Sequence, residues 1–254
     1  MAFFRSRPAF MVPLVLAALI LAAPLAAQPQ SPEQLTYLTE EYYPFNYADG
    51  GTVRGVSADL LRMVWNRLGV QEQSIEILPW ARAYELARHQ PGTVLFGMAR
   101  TPERESMFRW AGPIFNVRFV LIAKKSKQIQ VRSLDQLNGY CIGTVRGDVA
   151  HTLLAPHLRE CTVEAVADMK QNVRKLVEDR LDMVAYEEHS WPGLATRMGV
   201  DPDQFETVFL LRETPIYFAF HIDTDPSLLA AFQEALDSVT ASQYYPMILN
   251  TYLK

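Results

Sequence analysis

Three arginines fall in "LFGMARTPERESMFRWAGPIF", Leu95–Phe115, between two apolar runs: Arg100, Arg104 and Arg109. Leu95 to Met98 reads as the end of a buried strand and Ala111 to Phe115 as the approach to another, with Pro102 fixing a turn between them. A guanidinium offers paired donors in the geometry of a carboxylate and stays charged at any relevant pH. At the mouth of a strand in a chain of net charge −4, these arginines are either a solvated loop or a grip on a ligand's carboxylate. The second reading is the expectation carried forward.

Other reactive groups narrow the chemistry. The five histidines, His89, His151, His157, His189 and His221, show no ligand spacing of the HExxH kind, so no metal is expected. No nucleophile–base pair and no cofactor motif stands out, and no cofactor is expected. Cys141 and Cys161 are the two cysteines; they open two strand-like runs, and a disulfide between them is left open.

The elements that must position these groups begin after a leader. "MAFFRSRPAF" carries Arg5 and Arg7 without an acid, "MVPLVLAALILAAPLA" is a short apolar run, and small residues follow. That is the pattern of a secretory signal peptide, residues 1–27, cut after Ala26 or Ala27. An exported chain meets an oxidising compartment. Without the leader, 22 basic stand against 28 acidic residues, and the absence of a basic cluster argues against nucleic-acid binding. No later segment is long and apolar enough to span a membrane, so no stable insertion is expected once the leader is removed. With 49% hydrophobic residues, the remainder can bury a substantial core.

Along that remainder, "QLTYLTEEYYPFNY" reads as a strand and an aromatic loop. "GVSADLLRMVWNRLG" is an amphipathic helix with apolar Val56, Leu60, Leu61, Val64 and Leu68, ended by Gly69. "QSIEILPW", "ARAYELARHQ" and "TVLFGMA" complete β-α-β-α-β, the mark of a parallel sheet covered by helices. A second unit repeats the alternation from "LDQLNG" to "DMVAYEE", and Asp225 or Ser227 caps a closing helix. Two long strand-like runs, Arg118 to Lys124 and Ile216 to His221, join the units. Ligands in open α/β sheets bind beyond the carboxyl ends of strands, so two facing units would share one cleft.

"YYPFNY", "GVSADLL", "GMARTPERESMFRWAGPIF", "LDQLNGYCIGTVRGDVA" and "EDRLDMVAYEE" occur in this order, and so arranged the chain resembles the family 3 extracytoplasmic solute-binding proteins. The resemblance implies an α/β, two-lobed periplasmic-binding-protein fold, each lobe a mixed sheet flanked by helices, with a two-strand hinge. It places lobe 1 at 28–119, lobe 2 at 120–217, and a return strand with C-terminal helices completing lobe 1 at 218–254. It implies a monomeric periplasmic receptor that captures an amino acid or related solute for an ABC transporter permease.

Carried onto this sequence, the family's T-x-x-R turn assigns the ligand's α-carboxylate to Arg104, with Ala99 and Thr101 beside it. Arg100 would reach a second acid or face water, and Arg109 lies at the surface. Glu187 matches the ammonium-binding acid, with Glu188 next to it and only one of the two facing the cleft. Tyr42 and Trp80 form an aromatic wall, with Arg82 supporting Trp80 or lining the rim. Asp148 and Val149, after Gly147, open a helix whose N–H groups would meet the same carboxylate. The chain departs from the pattern in having Phe96, Gly97 and Ala99 where small hydroxyl residues are frequent, and Asp148 and Val149 where a threonine is. Two alternatives accompany the receptor: a cyclohexadienyl-dehydratase-like enzyme using Glu187 or Glu188 as its acid, and a ligand sensor acting through a membrane partner.

Overall fold

The computed structural model describes residues 31–157 and 163–253. The expected leader and Cys161 lie outside the described residues. Cys141 is half-buried and in no disulfide among the described residues.

The first strand, β1 (Thr36–Thr39), leads through the aromatic loop to a hairpin of β2 (Tyr47–Asp49) and β3 (Thr52–Arg54). Helix α1 (Val56–Leu68) follows, with Val56, Leu60, Leu61 and Val64 buried on one face and Gly69 closing it in the left-handed region at φ 71°. Its free N-terminal donors are met by the loop: Val56 N–H donates to the Pro44 carbonyl (3.1 Å) and Ser57 N–H to that of Phe45 (2.8 Å). Then come β4 (Ile75–Ile77), α2 (Trp80–His89), β5 (Thr93–Ala99) and the long β6 (Phe108–Lys124).

The second alternation runs β7 (Ile142–Val145), α3 (Val149–Leu154), β8 (Val163–Val166), α4 (Met169–Val177), β9 (Met183–Glu187) and α5 (Ser190–Arg197). The long β10 (Phe205–His221) returns the chain to α6 (Pro226–Thr240) and α7 (Tyr244–Tyr252). Asp225 caps α6, accepting from Ser227 N–H at 2.8 Å.

Eight strands form one mixed sheet in the order β4-β1-β5-β10-β6-β9-β7-β8. One lobe is built on β1, β4 and β5, the other on β7, β8 and β9; within each, these strands run parallel. The antiparallel pair β6 and β10 runs through both, β10 pairing with β5 over Ile216–Phe220 and β6 with β9 over Phe119–Ala123. The fold is therefore the expected α/β arrangement.

Three details depart from the sequence expectation. Strand β10 begins at Phe205 rather than Ile216, and β6 at Phe108 rather than Arg118. Pro113 falls at the register shift between Ile216 and Phe218, whereas Pro215 pairs in register with Asn116. Helix α5 was not expected because Pro192 and Gly193 sit inside it.

The first lobe's core centres on aromatic contacts. Phe232 of α6 meets Phe218 and Phe220 edge-on at 5.1 and 4.9 Å, and Tyr37 meets Trp65 of α1 at 4.8 Å. Among the described residues no helix is long and apolar enough to cross a membrane.

Candidate functional site

The loop after β5 turns at Thr101, whose carbonyl accepts from Arg104 N–H at 3.0 Å. That turn drives the Arg104 side chain inward until only 6% of the residue is exposed. Its Nη1 donates to the Ala99 carbonyl (3.3 Å) and its Nη2 to the Gly147 carbonyl (3.1 Å). The guanidinium lies 5.0 Å from the Trp80 ring centre and 5.3 Å from that of Tyr84, a cation–π stack on both. Burial pulls its pKa below the ordinary arginine value, opposed by Tyr84, Asp148 and Glu40; the group remains a cation.

Among the described residues, the Arg104 guanidinium's hydrogen bonds go only to those two backbone carbonyls. Its other donors stay available.

Arg104 separates two spaces. An inner chamber of about 30 Å³ is walled by Ala99, Trp80, Phe119, Val145 and Val149, with Glu40, Tyr42, Asp148 and Tyr186 as its polar groups. An outer cleft of about 410 Å³ lies between Tyr84, Thr101 and Glu103 on one lobe and Gly147, Thr152 and His157 on the other. The lobes touch here: Trp80 Nε1 donates to the same Gly147 carbonyl at 2.9 Å. A further contact joins them at the rim, where Arg197 of α5 reaches Glu41 (3.2 Å) and stacks on Tyr43 and Tyr47.

Acids dominate the inner chamber. Burial pushes Glu40 up to about 8, with Asp148 adding to the shift and Arg104 opposing it. Burial pushes Asp148 up to about 7, against its hydrogen bond from the His151 backbone and the charge of Arg104. The Tyr42 hydroxyl is buried with no hydrogen-bond partner, and burial followed by Glu187 raises its pKa well above the ordinary value.

The structure thus brings Ala99, Trp80, Tyr42, Asp148 and Val149 to the inner chamber with Arg104, and Thr101 to the outer cleft beside it. It holds three other residues elsewhere. Arg100 forms a two-point ion pair with Glu105 (2.7 and 2.5 Å) and stacks on Trp110 and Tyr217, because the strand end turns it outward. Glu188 pairs with Arg118 at 2.7 Å and accepts from Thr207.

Glu187 is fully buried, but it is turned into its own lobe. It caps the start of α5, accepting from Ser190 N–H and Oγ–H at 2.7 Å each, and its other oxygen meets His189 Nδ1 at 2.9 Å. The structure therefore does not bring Glu187 to the cleft with Arg104: the first turn of α5 already satisfies its oxygens. At the N-terminus of α3 one donor is already taken. Asp148 caps that helix itself, accepting from His151 N–H at 2.6 Å, so a ligand carboxylate would meet a like charge there.

The Glu187 contact has a measurable consequence. Its hydrogen bond holds the His189 pKa above the ordinary value, against partial burial. Any stability from this pair is present below the ordinary histidine pKa and is lost as pH rises through the raised one. Glu187→Gln should lower the His189 pKa in an NMR titration; an unchanged value would contradict the pairing.

Sequence reasoning missed Glu40, Phe119, Val145 and Tyr186. Glu40 had a signal, since it directly follows the carboxyl end of β1. Gly97 explains one departure from the family pattern. At φ 75°, an added Cβ would lie 2.5 Å from the Asn46 side-chain oxygen. Asn46 fills that space and donates to the Glu40 carbonyl at 2.8 Å, fixing the acid's loop. Among the described residues no group of three or more His, Cys, Asp or Glu side chains could hold a metal ion.

No curated protein sequence matches the chain significantly. Similar solved structures share its architecture. An ancestral arginine-binding protein bound to arginine superposes with TM-score 0.76 at 19% identity, covering 87% of this chain and 99% of its own. ArtJ of Geobacillus stearothermophilus, an arginine-, lysine-, histidine-binding protein, gives 0.75 at 17%, covering 86% and 94%. The ancestral amino acid-binding protein AncCDT-1, a precursor of cyclohexadienyl dehydratase, gives 0.73 at 19%, covering 87% and 96%. At these identities the likeness concerns the fold, whereas the family model for bacterial extracellular solute-binding proteins, family 3, matches residues 35–254. The chain belongs to the bacterial extracellular solute-binding proteins of family 3.

Proposed function

We propose that the protein is a periplasmic receptor that captures a small carboxylate-bearing solute, an amino acid or a derivative, and delivers it as a monomer to an ABC transporter permease. The observation that carries this reading is Arg104: a cation with 6% exposure, stacked on two aromatic rings, whose side-chain hydrogen bonds among the described residues go to backbone carbonyls. A buried cation without an anion is costly, and an entering carboxylate would match its remaining donors. The lobe-to-lobe bonds at Gly147 support capture between two bodies, with release requiring them to part.

Thermal-shift screening of the exported protein tests this reading. The screen includes the amino acids named for the similar structures (arginine, glutamine, lysine and histidine) with the remaining amino acids and dicarboxylates. At least one α-amino acid should raise Tm in a concentration-dependent way. No shift with any of them would overturn the reading.

A dehydratase-like reading has one observation in its favour, since a Glu40 pushed up to about 8 could hold a proton for a leaving hydroxyl at neutral pH. Turnover of added prephenate would establish it.

A further inference from the structure

We propose that Gly193 and Arg197 of α5 clasp Tyr43 of the opposite lobe and hold the two lobes together with protein groups alone, outside the space open to a solute. The clasp goes beyond the receptor reading and does not depend on it.

The first ground is a glycine in an unfavourable place. Gly193 lies inside α5, where glycine is less stable than alanine because it loses more backbone freedom on folding. Its backbone is not in the left-handed region, so no turn asks for a glycine there. The ring of Tyr43 does, reaching over from the aromatic loop after β1. A Cβ added to Gly193 would lie 2.0 Å from Tyr43 Cε1 and 2.2 Å from Cδ1, far inside the roughly 3.5–4.0 Å of a carbon–carbon contact. The glycine weakens its own helix and makes this contact between lobes possible.

The second ground is Arg197, one turn further along the same face of α5. Its guanidinium carbon lies 5.1 Å from the Tyr43 ring centre and 4.6 Å from that of Tyr47. Its Nη1 pairs with Glu41 at 3.2 Å, and its Nη2 donates to the Ala48 carbonyl at 3.5 Å. An exposed ion pair alone contributes little. Here one guanidinium meets two rings, a carboxylate and a carbonyl, all from the first lobe.

The third ground is that the first lobe holds this seat in shape by itself. The rings of Tyr43 and Tyr47 pack 4.9 Å apart, and Tyr47 meets Tyr252 of α7 edge-on at 6.4 Å. The second oxygen of Glu41 accepts from Ala48 N–H at 3.0 Å. Little side-chain freedom is left to lose when Arg197 docks.

The clasp stands apart from the chamber. None of Glu41, Tyr43, Tyr47, Gly193 and Arg197 lines the inner chamber or the outer cleft. Open spaces of about 820 and 570 Å³ flank it, each walled by both Tyr43 and Arg197. The contact is therefore a narrow bridge between the lobes. The bonds from Trp80 and Arg104 to Gly147 differ in kind, because a carboxylate at Arg104 would compete with them and would not reach the clasp. For a protein that binds between its lobes, apparent affinity rises with the fraction already closed, so the clasp sets affinity through residues that touch no solute. That consequence alone rests on the receptor reading.

Small-angle scattering of the protein without added solute tests this. Arg197→Ala and Gly193→Ala should each enlarge the radius of gyration while leaving the circular dichroism spectrum unchanged. Tyr43→Ala should enlarge it as well. Adding Gly193→Ala to Tyr43→Ala should enlarge it no further, because the ring that the new methyl group would strike is gone. If either folded α5 variant leaves the radius unchanged, the clasp is refuted. If Gly193→Ala enlarges the radius further in the Tyr43→Ala background, its effect comes from α5 itself and the clasp is again refuted. Arg197 lies at the surface, so its variant decides the matter should Gly193→Ala fold poorly. Failure here leaves the receptor reading standing, and failure of the solute screen leaves the clasp standing, since no solute enters this measurement.

Discussion

Arg104→Ala should weaken binding of the protein's solute by about 30- to 3,000-fold, the cost of truncating one partner of an enclosed charge pair, about 2–5 kcal/mol. The fold should survive. Among the described residues the side chain makes two hydrogen bonds, both to carbonyls, at 3.3 and 3.1 Å, and losing them also removes a buried charge. Arg104→Lys should recover little, because a point charge on a flexible stem reproduces neither the forked donors nor the stack on Trp80 and Tyr84. Calorimetry with the best solute from the thermal-shift screen, together with circular dichroism of each variant, decides it. Unchanged affinity in a folded Arg104→Ala protein would remove Arg104 from the site.

The second large effect is expected at Gly55, well away from the chamber in sequence. Gly55 precedes α1 at φ 117° and ψ 174°, a region occupied almost only by glycine. An added Cβ would lie 2.4 Å from the Phe45 carbonyl oxygen and 2.6 Å from that of Pro44. Those same carbonyls accept the first N–H groups of α1. Backbone on both sides leaves no flexible side chain to yield, so Gly55→Ala should cost about 3 kcal/mol or more. The strained loop also carries Glu40 and Tyr42, so affinity should fall with stability. Urea denaturation measures the first and calorimetry the second. A variant of unchanged midpoint would contradict the close packing of this turn.

The sequence made the first lobe readable because its helices have a clear apolar face and clear stops. Leu60, Leu61 and Val64 repeat at helical spacing, and Gly69 ends the helix where the structure does. Arg104 was readable for a local reason: a short turn after a strand puts a guanidinium at the strand's carboxyl end whatever surrounds it. Glu187 was not, because its direction depends on α5. Pro192 and Gly193 hide that helix from propensity, and with the helix hidden, so is the cap that claims the carboxylate. The long strands show a similar limit. The runs read from the sequence covered only part of each strand, yet the β6–β10 ladder continues past Pro113 at a register shift and through Pro215 in register with Asn116. The inner chamber needed the three-dimensional structure, since Glu40 and Asp148 line it from different lobes.

The most direct measurement is a crystal structure of the protein with the amino acid that stabilises it most. The expected result places the solute's carboxylate oxygens about 2.8 Å from Arg104 nitrogens. A solute bound without contact to Arg104, in the groove beneath Arg174 and Arg197 or elsewhere on the surface, would contradict the account.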